Sequence, residues 1–232
     1  MGWRCSHRIP SPIIQHVRNG TEMTETTPRK TRGRPRTFAG DHALDVAFEG
    51  YWREGMYGMS VNEVCRRAGV SKPGLYRAYG SEDGLTSAVL QRYEETQTEA
   101  ILEILAQDRP FAEVLKDLVW AFTEVGDAPV GCLLTKMRSA VTVIGPRTQA
   151  RIEQVRGKLL GAFADWIRRA RARGEINPDV SDDLATGYLD TQLTTILTRM
   201  GANDDPLTIR TEASLAFSVL TKGALGWWPA TA

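Results

Sequence analysis

The groups able to do chemistry are unevenly spread along this 232-residue chain. His7, His16 and His42 are the only histidines and all precede the main body, so a histidine dyad or histidine metal cluster in a downstream core is excluded. Cys5, Cys65 and Cys132 lie far apart and are odd in number, which fits neither a disulfide framework nor a zinc spacing and points to a reducing cytoplasm. No glycine-rich phosphate loop or nucleophile motif occurs, so the expectation is a non-enzyme with no catalytic residue, cofactor or metal. What remains is cationic and phenolic. Arg29 to Arg36 carries five cations and no acid, and Ser71 to Tyr79 gathers Lys72, Pro73, Gly74, Tyr76, Arg77 and Tyr79. Ammonium, guanidinium and phenol groups on a small polar platform hold phosphates and read base edges.

The balance of Lys+Arg 29 against Asp+Glu 28 rules out a uniformly basic coat, so a nucleic-acid footprint must be local. A hydrophobic fraction of 42% with 25% charged residues describes a globular chain. Nothing approaches the apolar length of a transmembrane helix, and no membrane partner is expected. Residues 1–28 read as an irregular, disordered extension in which Met23 competes with Met1 as the natural start. Within the basic run, Arg32-Gly33-Arg34-Pro35 resembles the minor-groove element of AT-hook proteins: glycine lets the backbone sit deep, proline keeps it extended, and guanidiniums meet the negative potential of A·T tracts. Phosphate attraction, minor-groove insertion through Arg32 and Arg34, and a solubilising tail are the three readings.

The cationic platform needs elements to present it. Leu44, Ala47, Phe48, Tyr51 and Trp52 recur at helical spacing from about Asp41 to Tyr57, and Gly55 and Gly58 stop that helix. Ser60-Val61-Asn62-Glu63 is a capping box, in which the Ser60 hydroxyl and the Glu63 carboxylate reciprocally satisfy amides at a helix start. Val61, Val64, Cys65 and Ala68 give that helix one buried face, and Gly69 is free to take a positive φ and turn the chain. Ser71 caps a second short helix with Pro73 in its first turn. Two short helices across a glycine turn make a helix-turn-helix. The second has Leu75 as its one obligate core residue, so packing does not explain it; a reading head entering a major groove does.

The run from Ser60 to Leu85, with its capping box, Ala68-Gly69-Val70-Ser71 turn, Leu75-Tyr76 pair and restart at Ser81, closely resembles the DNA-binding domain of tetracycline-repressor-type (TetR) regulators. The likeness extends from about Asp41 to Leu90. It implies that Lys72 and Pro73 face base edges, that Tyr76 binds phosphate, and that Ser60 and Ser71 sit near the DNA backbone. Gly74, Arg77 and Tyr79 complete the expected footprint. Glu82 departs from the family pattern, which commonly has a lysine there; the exchange removes a cation and makes the basic tail a plausible substitute.

Beyond Ser81 everything reads helical, and the class is all-α. A long helix is expected from Leu85 towards Leu105, another over Val114 to Val125, and one from Cys132 through Ile144. Gly145-Pro146 opens a long helix with Ile152, Val155, Leu159, Phe163, Trp166 and Ala170 on its buried stripe, and Ser181 to Met200 and Asp205 to Leu220 add two more. In the resembled family the last two long helices form a four-helix dimer interface and the preceding ones enclose a small-molecule pocket. Trp120, Phe122, Cys132, Met137, Trp166 and Tyr188 are the pocket candidates here, each weighed against ordinary core packing.

The expected organisation is a disordered extension with a basic tail over 1–36, a helix-turn-helix DNA-binding domain over 37–90, and a helical effector-binding and dimerisation domain over 91–232. The expected function is a cytoplasmic, nucleoid-associated, homodimeric transcriptional regulator, a repressor released from palindromic double-stranded DNA by an unidentified small-molecule effector. A DNA-architectural protein and a helical enzyme carrying a helix-turn-helix are the alternatives. The large C-terminal body argues against the first, and the missing catalytic motifs against the second.

Overall fold

The computed structural model describes residues 37–127 and 129–221; the N-terminal extension and its basic run, Arg32 and Arg34 included, lie outside the described residues. The N-terminal unit begins with α1 (Thr37–Gly58), whose helical geometry is interrupted at Gly55, where φ is 75°. Ala43, Ala47, Tyr51 and Trp52 form its buried stripe. Helices α2 (Val61–Ala68) and α3 (Lys72–Tyr79) follow across Gly69, which takes the left-handed φ of 65°.

Each short helix starts on a serine. The Ser60 hydroxyl accepts from the Glu63 amide at 3.2 Å, Ser71 from Gly74 at 3.2 Å, and Ser81 from Gly84 at 3.0 Å. The reciprocal half of the expected capping box is not formed, because Arg66 and Arg67 take the Glu63 carboxylate. Gly84 is fixed by space: a Cβ there would lie 1.8 Å from the Tyr79 carbonyl oxygen, so the next helix can start this close to the end of α3 only without a side chain.

The expected rod from Leu85 to Leu105 is α4 (Glu82–Tyr93), a π-helical turn over Glu94–Thr98, and α5 (Glu99–Leu105). The wider turn carries Glu94, Gln97 and Thr98 into the interior. The body continues with α6 (Phe111–Phe122), α7 (Leu133–Ser139), α8 (Pro146–Ala172), α9 (Asp182–Gly201) and α10 (Pro206–Phe217). Helix α7 is shorter than the expected Cys132 to Ile144, because the β-branched run Val141-Thr142-Val143 disfavours a helix and forms turns instead. The last helix tightens into a 3-10 turn over Ser218–Leu220. Among the described residues there is no strand, only an isolated bridge between Ile176 and Thr221, and no helix is long and apolar enough to cross a membrane.

Two hydrophobic cores result. One joins α1 to α4 with Leu133, Leu134, Met137 and Ile144, and with Ile152 and Val155 from the start of α8. The other fills the body around Phe111, Trp166, Leu189 and Phe217. Leu159 packs against both.

Candidate nucleic-acid interface

Helix α3 buries one large side chain, Leu75, and turns most of its remaining surface to solvent. Lys72, Pro73 and Arg77 are exposed, while Gly74, Tyr76 and Tyr79 are half-buried. No acid occupies its first turn, so the N-terminal amides keep their positive end towards solvent. The Lys72 ammonium lies 5.6 Å from the centre of the Tyr76 ring, a cation–π contact that keeps the charge at this end of the helix. Ser60 and Ser71 are exposed as well. Their oxygens accept from backbone amides, which leaves each hydroxyl proton available to donate outward.

Tyr79 is placed differently from the rest. Its hydroxyl donates to the Gly40 carbonyl at 2.9 Å and ties α3 to α1. Burial, reinforced by the nearby Asp41 charge, holds the phenol above its usual range. The tyrosine thus serves the fold, and only its lone pairs face other partners.

Two features escaped sequence reasoning because each turns on a partner distant in the chain, Glu54 in the first and residues 147–148 in the second. The first is an ion network in which Arg67 pairs with Glu54 and Glu63 while Arg66 pairs with Glu63. Hydrogen bonds from Arg66, then Arg67, pull the Glu63 carboxyl down to about 2. The second is the joint between head and body. Asp83 accepts from the Arg147 and Thr148 amides, both at 2.9 Å, and from the Thr148 hydroxyl at 2.7 Å, so it caps α8 from another helix. Thr86 and Thr148 share a further hydrogen bond of 2.6 Å. Gly145 allows this contact, since a Cβ there would lie 2.4 Å from the Asp83 carboxyl carbon. Glu82, the departure noted in the sequence, stays exposed beside α3.

Trp52 adds a second tie: its indole N–H donates to the Gly131 carbonyl at 2.9 Å, and its own carbonyl accepts from Lys136. The same indole lines a cavity of about 60 Å³ with Tyr93, Gln97, Phe122, Val130 and Leu197. A neighbouring cavity of about 50 Å³ is lined by Thr98, Cys132, Arg138, Arg156 and Asp190 among others, and shares Tyr93, Ile101, Phe122 and Leu197 with the first.

Of the six pocket candidates, Phe122 lines both cavities and Cys132 the second, where its sulfur accepts from the Tyr93 hydroxyl at 3.4 Å. The other four line neither. Met137 and Trp166 are fully buried in the two cores, the latter against Phe111. Two residues from Phe122 and so about 200° around the helix, Trp120 faces Arg210 and Lys116. The Tyr188 hydroxyl donates to the Ala216 carbonyl at 2.9 Å, joining α9 to α10. Tyr93, Thr98 and Arg156 were missed as lining residues: the π-turn that Thr98 closes leaves no periodic signal, and Arg156 lies off the apolar stripe of α8.

Comparison with known proteins places this geometry. The family model for bacterial regulatory proteins of the tetR family matches residues 43–89, which run from α1 into α4. The HTH-type transcriptional repressor BdcR of Escherichia coli K12 is 37% identical over 116 residues, 48% of this chain and 58% of BdcR. The chain therefore spans little more than half the length of that relative. A TetR-family regulator from Agrobacterium tumefaciens has a similar fold, with a TM-score of 0.69 over 80% of this chain and 99% of that one at 15% identity. So does CifR, a TetR-family regulator solved as a cysteine mutant with 26-bp operator DNA, at a TM-score of 0.63, covering 87% of this chain and 100% of CifR at 22% identity.

Proposed function

We propose that the chain is a DNA-binding regulator of the tetR family of bacterial regulatory proteins, a homodimeric repressor that a small molecule releases from a two-fold symmetric operator. The observation that carries the reading is α3, a capped helix that buries Leu75 as its one large side chain, with Lys72, Pro73 and Arg77 presented to solvent. A helix with so little packing duty is suited to enter a major groove by its N-terminal turn. Lys72 and Pro73 then meet base edges, while Tyr76, Gly74, Ser60 and Ser71 hold the sugar-phosphate chain.

Dimerisation is supported by Leu184 on α9, Leu207 and Leu215 on α10, and Val219, all large apolar side chains more than half exposed. Exposed apolar side chains gathered on the last two helices suit an association surface, and a second copy would cover them by two-fold symmetry. Response to a small molecule is supported by the two neighbouring cavities, one of which has Trp52 of α1 in its wall. Footprinting on selected genomic fragments tests the reading: protection of two inverted half-sites about 34–36 Å apart is expected. A single asymmetric half-site protected by a monomer would overturn it.

A further inference from the structure

We propose that the cavity lined by Thr98 and Arg156 binds a small organic carboxylate, with the Arg156 Nε–H and the Thr98 hydroxyl as its hydrogen-bond donors. The inference rests on the effector reading above and names the chemical class that the site takes. Its starting point is a pair of unmet hydrogen bonds. The Thr98 Oγ1, on a residue only 1% exposed, has no hydrogen-bond partner among the described residues. The Arg156 Nε, also buried, has none either. Both residues line the same cavity of about 50 Å³. Buried polar groups are almost always paired because leaving them bare is costly, so two bare ones on residues that line one space point to an occupant that completes them.

The fold pays attention to this spot in a second way. Thr98 closes the π-helical turn Glu94–Thr98, and without the extra residue of that turn the hydroxyl would sit elsewhere on the helix. Single π-turns inside α-helices concentrate at functional sites. The opposite wall comes from α8, which supplies Arg156, so the two donors reach the cavity from different helices.

Charge selects the ligand's sign. Arg156 and Arg138 bring two positive charges to the lining and Asp190 one negative charge. Asp190 approaches the terminal Nη2 of Arg156 at 3.5 Å and leaves Nε over, while Arg138 has no ion pair among the described residues. The excess is cationic, and a planar guanidinium with a spare N–H matches a carboxylate oxygen in geometry as well as sign. The thiol of Cys132 already accepts from Tyr93. Apart from Thr135 and Thr194 the rest of the lining is apolar, with Ile101, Phe122, Leu134, Leu159 and Phe163 available to a methyl-sized tail. The occupant is thus a compact monocarboxylate.

Calorimetric titration of the full chain with formate and acetate, against formamide and acetamide as uncharged counterparts, tests this. The acids are expected to bind on the order of tenfold more tightly than their counterparts. Thr98→Val keeps the shape of the side chain and removes the bare hydroxyl, so it should raise the melting temperature of the unliganded protein while weakening acetate. A residue with a merely structural role would not move those two readings in opposite directions. Arg156→Lys should keep the charge and lose the Nε contact, weakening both acids. Equal affinity for acid and amide, unchanged acetate affinity in Thr98→Val, or no binding of either acid each overturns the proposal. Operator retention in a gel, run in parallel, separates it from the effector reading. Acids that bind without loosening DNA uphold the site and sink the effector role, whereas DNA released by neutral compounds alone does the reverse.

Discussion

Within α3, Lys72 and Tyr76 stand one turn apart with the ammonium against the ring, yet their expected duties differ. Lys72→Ala should relax preference at one base position, at about 1–3 kcal/mol if the contact is bidentate to guanine. Tyr76→Phe should weaken every sequence alike, since a phosphate contact carries no base information. Binding assays against the operator and random DNA distinguish the two; an equal loss on both for Lys72→Ala would make it a phosphate contact. The serine caps were legible in the sequence because cap and amide lie three residues apart. The role of Tyr79 was not, because its partner Gly40 is 39 residues away and nothing in either residue type announces the pair.

At the scale of elements, apolar spacing and glycine breaks located the helices, but two features followed from subtler causes. The π-turn leaves apolar periodicity nearly intact, and α7 ends where three β-branched residues follow one another. The joint between α4 and α8 depends on one carboxylate. Burial works against the ionised form of Asp83, but hydrogen bonds from the Thr148 hydroxyl and the Thr148 and Arg147 amides outweigh it and hold its carboxyl below the usual range. A depressed pKa contributes stability above the unfolded value of about 3.9, and that stability is lost as pH falls through the lower folded value. Asp83→Asn should therefore melt earlier than the parent chain at neutral pH, with the difference closing below about pH 4. Paired thermal melts across pH measure it. A difference that stays constant into the acid range would mean that the contact does not depend on charge.

For the whole molecule, the position of the N-terminal helices was easier to read than how they are joined to the rest. The core under the N-terminal helices takes Met137, Ile152 and Val155 from far along the chain, and a sequence pattern says which residues are buried but not against what. The basic run also belongs to this scale, since its five cations would add to the charge that the proposed dimer brings to DNA. Each phosphate neutralised steepens the dependence of log K on log salt by about 0.9. Deleting residues 1–36 should weaken operator binding and flatten that slope by one to several units per dimer, with helicity and dimerisation intact. If Arg34 enters a minor groove, A·T pairs flanking the operator should matter to the full chain and not to the deletion. An unchanged salt slope would leave the run as a solubilising extension.

Trp52 occupies two structures at once: it is core beneath the DNA-reading helices and wall to a cavity at the joint. A ligand whose affinity depends on the position of that indole is coupled to the placement of α1. Thermodynamic coupling has no preferred direction, so whatever factor such a ligand takes from the operator's affinity, the operator takes from the ligand's. Operator DNA thereby becomes a regulator of the small-molecule site. Protein seated on DNA would need more ligand than protein free in solution, and the threshold concentration for response would rise with the number of operators occupied.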